Sequence, residues 1–153
     1  MLKCVMFAVL LVTQVSVAEA KVSVEHISAR LVGGKTGALS RDMLDPAQPF
    51  ETWNSGIGEG DAHEPSDDIL VTVKFKLEKR GEAHDAYTLR VRDKDRKLGL
   101  AAEKTDVSPR FLDDLEASAS VMVYDRPCGD MVIEVLVKNK VFGTVPLAMN
   151  CGE

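Results

Sequence analysis

Apolar and polar residues alternate with a period of two in several separate stretches of the chain beyond residue 20. Ile69, Val71, Val73, Phe75 and Leu77 alternate with Leu70, Thr72, Lys74, Lys76 and Glu78. Successive strand side chains point to opposite faces, so this reads as a strand with one face buried and one wet. Tyr87, Leu89 and Val91 alternate with Thr88, Arg90 and Arg92 in the same way. Asp93 to Arg96 forms a polar turn, and Leu98, Leu100 and Ala102 predict a returning strand. Val22, Val24 and His26, continued by Ile27 to Val32, predict a first strand; Ala119, Val121 and Val123 predict another.

The last apolar rows predict a hairpin. Met131, Ile133, Val135 and Val137 form one arm, and Val141, Val145, Leu147 and Met149 the other. A three-residue loop, Lys138 to Lys140, pairs Val137 with Val141, Val135 with Gly143, Ile133 with Val145 and Met131 with Leu147. That register puts the apolar odd positions of both arms on one face, as the pleat requires. It leaves Cys128 one residue out of phase with Cys151, which predicts a bulge at Pro127 to Gly129. Helix signals are sparse. Ser108-Pro109 is a helix start, with Ser as cap and Pro at the first position, and Phe111, Leu112 and Leu115 then face inward for a turn or two before Ser118. The expected fold is an all-β, antiparallel Ig-like β-sandwich of about seven to eight strands with one short helical turn and one disulfide. The Cys–Trp–Cys spacing of an antibody domain is absent, because Trp53 precedes Cys128 and Cys151.

The chain's first residues do not follow the strand pattern. One positive charge at Lys3, an apolar run over Cys4 to Val17 and the sequence Ala18-Glu19-Ala20 form an export signal with its cleavage site. The run is about 14 residues long, against about 20 for a spanning helix. Residues 1–20 are therefore expected to be removed, leaving a single domain at 21–153 that is periplasmic or secreted, with no stable membrane insertion. Lys3 and Glu19 cancel, so the net charge stays at −5. That acidity disfavours nucleic acid and anionic membranes as partners. In an oxidising compartment Cys128 and Cys151 are expected to form a bridge worth about 3 kcal/mol. Lys74, Lys76, Arg90 and Arg92 are expected on neighbouring solvent faces of one sheet. There they form a basic stripe that either docks an acidic partner or blocks edge pairing.

Between Ser40 and Ser66 the alternation lapses, and loops of that length are usually functional or disordered. The run Trp53-Asn54-Ser55-Gly56-Ile57-Gly58-Glu59-Gly60-Asp61-Ala62, then Glu64-Pro65-Ser66-Asp67-Asp68 before a strand, resembles exported bacterial β-sandwich proteins of no assigned activity. The terminal Cys151-Gly152-Glu153 is similar to the way such chains end. The resemblance implies a periplasmic or secreted Ig-like fold and carries over no catalytic residues.

Two chemistries suit this loop. Phe50 and Trp53 form either a plug for the open end of the core or a platform for an apolar peptide or a sugar ring. Glu59, Asp61, Glu64, Asp67 and Asp68 either form a solvated acidic loop or supply oxygen ligands to calcium. His63 offers a zinc variant. No base is tied to a nucleophile by any motif, so an enzyme is not expected. The leading expectation is an exported, non-enzymatic module that binds a protein or polysaccharide partner through residues 50–68. The alternative is a structural domain stabilised by calcium at residues 59–68.

Overall fold

The computed structural model describes residues 21–51, 54–78, 86–94, 103–107, 115–125 and 129–149, with the main chain alone at 103–105 and 107. The described chain is all-β. Seven strands form two antiparallel sheets. The first has the order β1 (Val22–Val32), β2 (Asp68–Leu77), β5 (Glu116–Val123). The second has the order β4 (Glu103–Val107), β3 (Tyr87–Asp93), β6 (Met131–Val137), β7 (Lys140–Leu147). The only other regular structure among the described residues is two single 3-10 turns, Ser55–Ile57 and Gly60–Ala62. No helix among these residues is long and apolar enough to cross a membrane.

The alternation read from the sequence sets which faces meet. Ile69, Val71, Val73, Phe75 and Leu77 of β2 are buried, as are Tyr87, Leu89 and Val91 of β3. Both sheets contribute to one apolar cluster. At its centre the Phe75 ring of the first sheet lies 4.7 Å from the Tyr87 ring of the second, tilted by 46°. Each such side chain contributes roughly 1.5–3 kcal/mol by leaving water. In β1 the apolar phase changes from even (Val22, Val24) to odd (Ile27, Ala29, Leu31). The register shifts between Val24 and His26 to absorb the change, leaving both Glu25 and His26 exposed. A bulge adds one residue to one strand and so flips the parity of the residues beyond it.

Several expectations need correction. The last hairpin pairs Met131 with Leu147, Ile133 with Val145 and Val135 with Gly143, as expected, but Val137 pairs with Lys140 and not with Val141. Its turn is the two residues Lys138 and Asn139, with φ of 50° and 64°. Two left-handed residues give the turn twist that matches the strands. The surplus residue is Phe142, skipped by the pairing between Gly143 and Val141. The resulting bulge brings the Phe142 ring to 6.1 Å from Tyr87.

The basic stripe does not form either. β2 and β3 follow each other in sequence but belong to different sheets, so their polar faces are not neighbours. Alternation shows that a strand has two faces but cannot show which strand lies beside it. Each row is also paired locally. Lys74 meets Glu25 at 3.1 Å and Glu116 at 2.6 Å, while Arg90 and Arg92 share Glu134.

At the far end of the expected helical turn, Glu116 to Ser118 are strand and pair with Lys76 to Lys74. Small alternating residues there fit a pleat against β2 better than they fit a helix. Leu115 of that turn is half-buried against the core cluster, and its carbonyl accepts the Leu77 N–H at 2.7 Å. Residues 108–114 of the turn, the row Leu98 to Ala102, the bulge at Pro127, the Cys128–Cys151 bridge and residues 1–20 lie outside the described residues. So does Trp53.

Candidate functional site

The described residues between β1 and β2, 33–51 and 54–67, sit where β1 ends and β2 begins. The chain turns through Gly33 to Gly37, Gly37 N–H donating to the Gly33 carbonyl at 2.8 Å. It then returns along the free edge of β1 before entering the acidic stretch.

That stretch is held from within. Ser66 is buried, and its hydroxyl donates to the Val32 carbonyl at 2.6 Å. Its N–H donates to the carbonyl of Ser55, another buried serine, at 2.9 Å. Gly34 N–H donates to the Pro65 carbonyl at 2.8 Å, and Asp61 N–H to the Glu51 carbonyl at 2.8 Å. Gly58 has φ of 86°, and a Cβ there would come within 2.5 Å of the Glu64 main chain, so no other residue fits without movement. His63 adopts φ of 60° without being glycine. A non-glycine residue in that region holds strain that the surrounding bonds must offset, and such strain concentrates at functional segments.

Arg41 organises the loop. Its guanidinium ion-pairs with Asp61, donates to the Gln48 and Pro49 carbonyls, and stands 4.9 Å above the Phe50 ring. Asp61 also accepts the Glu51 N–H at 2.8 Å. That hydrogen bond and the Arg41 charge hold its carboxyl below the usual range.

The structure distributes the five expected carboxylates. Asp61 is taken by Arg41. Glu64 accepts from the Thr36 hydroxyl. Glu59 is exposed at the turn between the two 3-10 segments. Only Asp67 and Asp68 come together: with Asp125 and Lys35 they line an open cleft of about 290 Å³ beside Pro65. Asp68 there accepts the Asp125 N–H at 3.0 Å. Among the described residues no three His, Cys, Asp or Glu side chains gather as metal ligands do. His63 is exposed. Phe50 is half-buried and packs against the core cluster, as a plug does.

Sequence reasoning missed Arg41, Thr36, Ser66 and Ile57. Arg41 carried a usable signal: it is the only cation between Lys35 and Lys74, in a stretch rich in acids. Ile57, whose N–H donates to the Asn54 carbonyl at 3.3 Å, is 62% exposed on the first 3-10 turn. No family model matches the chain, and no curated protein matches it.

Proposed function

We propose that the protein is an exported, non-enzymatic Ig-like β-sandwich module that binds a protein partner through the crest of the 54–67 loop. Ile57 is the apolar contact on this reading, and the cleft of Asp67, Asp68 and Asp125 receives a basic side chain. One observation carries it: a loop fixed by Arg41, Ser66 and Gly58 still presents a large aliphatic side chain to water. A loop already ordered in its binding shape loses little entropy on association. The export signal and the Cys128–Cys151 bond belong to the same proposal, since a recognition module outside the cytoplasm gains from a covalent closure. A protein partner suits an aliphatic crest better than a polysaccharide, which prefers an aromatic face.

The test is peptide display against the protein recovered from secretion of the full chain. Enriched peptides should combine an apolar residue with Lys or Arg. Their binding should fall by about tenfold or more in Ile57→Ser, a typical loss for a central contact. Failure to enrich such peptides, or equal binding by Ile57→Ser, overturns the proposal. The N-terminus of the secreted product should be Lys21; an intact Met1 would overturn the export part alone.

A further inference from the structure

β1 lies at the edge of its sheet among the described residues, with β2 on one side. A bare edge presents unpaired N–H and C=O groups to any passing strand. Here residues 38–43 return along the free side of Ala29 to Val32. The first contact is a regular antiparallel bridge, Val32 to Leu39. Beyond it the arm supplies backbone donors but side-chain acceptors. Ser40 N–H donates to the Leu31 carbonyl at 3.0 Å, while Leu31 N–H donates to the Ser40 hydroxyl at 2.9 Å. Met43 N–H donates to the Ala29 carbonyl at 2.8 Å, while Ala29 N–H donates to the Asp42 carboxylate at 3.0 Å. All four edge groups of Ala29 and Leu31 are thus satisfied by an arm that is not itself a strand.

The chemistry of the arm explains why it ends the sheet. Asp42 uses the same oxygen to accept Leu44 N–H at 3.1 Å, which curls the chain away immediately after the contact. Its other oxygen faces His26 at 3.3 Å. Arg41, between the two capping residues, points the other way to the loop latch. A regular strand at 38–43 would have satisfied β1 equally well and created a new bare edge one strand further out.

We propose that residues 38–43 are an edge guard whose removal turns β1 into a self-association site for a second copy of the chain. Ala29 directs both its N–H and its C=O to the free side. An antiparallel pairing of two β1 strands centred on Ala29 would therefore form the regular ladder. That register sets Leu31 opposite the second copy's Ile27 and Arg30 opposite its Ser28, so no like charges face each other.

The test uses protein secreted from the full chain, with mass measured by light scattering and exchange measured at individual amides. The native protein should be monomeric. Ser40→Pro combined with Asp42→Ala, which removes the Ser40 N–H as well as both side-chain acceptors, should form a concentration-dependent dimer in which the Ala29 and Leu31 amides remain protected. Dilution to the monomer should speed their exchange by about tenfold or more, each having lost its acceptor. A folded double variant that stays monomeric overturns the proposal, as does a native protein already dimeric through β1. Should the double variant fail to fold, Ser40→Ala alone decides: Leu31 exchange should accelerate by about tenfold with Ala29 little changed. Unaltered Leu31 exchange overturns the guard.

Discussion

At the scale of single residues, two buried side chains bear opposite kinds of load. Phe75 is fully buried at the junction of the two sheets, and its loss leaves a cavity that both must span. Phe75→Ala should cost about 3–5 kcal/mol in urea unfolding. Glu134 is buried on the face of β6 opposite Ile133 and Val135. Burial alone pushes its carboxyl upward, but hydrogen bonds and charge from Arg90 and Arg92 outweigh burial and hold it below its ordinary value of 4.5. A carboxyl depressed in the folded state adds stability that is present above its unfolded pKa and disappears as pH falls through the folded one. Stability should therefore drop as the pH is lowered from neutral through and below 4.5. Glu134→Gln should lower stability at neutral pH and flatten that acid slope, measured by urea midpoints across pH. An unchanged slope would mean that the ion pair contributes nothing to folding.

At the scale of elements, the turns carry demands that the apolar pattern does not register. Lys138 and Asn139 both take positive φ to make a two-residue turn. Asn tolerates that conformation and a β-branched residue does not, so Asn139→Val should cost about 1–2 kcal/mol by thermal unfolding. The loop latch makes a parallel case. Arg41 joins Asp61, the Gln48 and Pro49 carbonyls and the Phe50 ring, and its neighbours Ser40 and Asp42 hold the β1 edge. Arg41→Ala should speed amide exchange at Glu51 and Asp61, while β3 and β6 remain protected. Uniform loss of protection would show that the latch supports the whole fold and not the loop alone.

At the scale of the whole molecule, carboxylates that are close in sequence take partners from distant parts of the chain. Asp61 and Glu64 are engaged by Arg41 and Thr36, which lie 20 and 28 residues away along the chain. Millimolar calcium should shift the midpoint of thermal unfolding by no more than about 1 °C, whereas a filled high-affinity site would raise it by several degrees. The same distances explain what the sequence concealed. Five acids within a short run looked like one site because nothing in their spacing named Arg41 or Thr36 as partners. The strand rows were legible because alternation is a local property. Three rungs of the last hairpin were legible for the same reason. Its fourth rung was not, since a three-residue loop and a two-residue turn with a bulge at Phe142 place Gly143, Val145 and Leu147 alike and differ only in where they send Val141.

Residue order was enough to establish the all-β class, the inward rows of β2, β3 and β6, and the long irregular segment before β2. Each rests on a period that the pleat imposes on consecutive residues. Packing in three dimensions was needed to part β2 and β3 into different sheets, to give Lys74 and Arg90 separate carboxylates, and to close the β1 edge with Ser40 and Asp42. Those outcomes depend on which segments meet across long separations in sequence. Burial and hydrogen-bond satisfaction settle them jointly for the whole chain, and no local pattern encodes them.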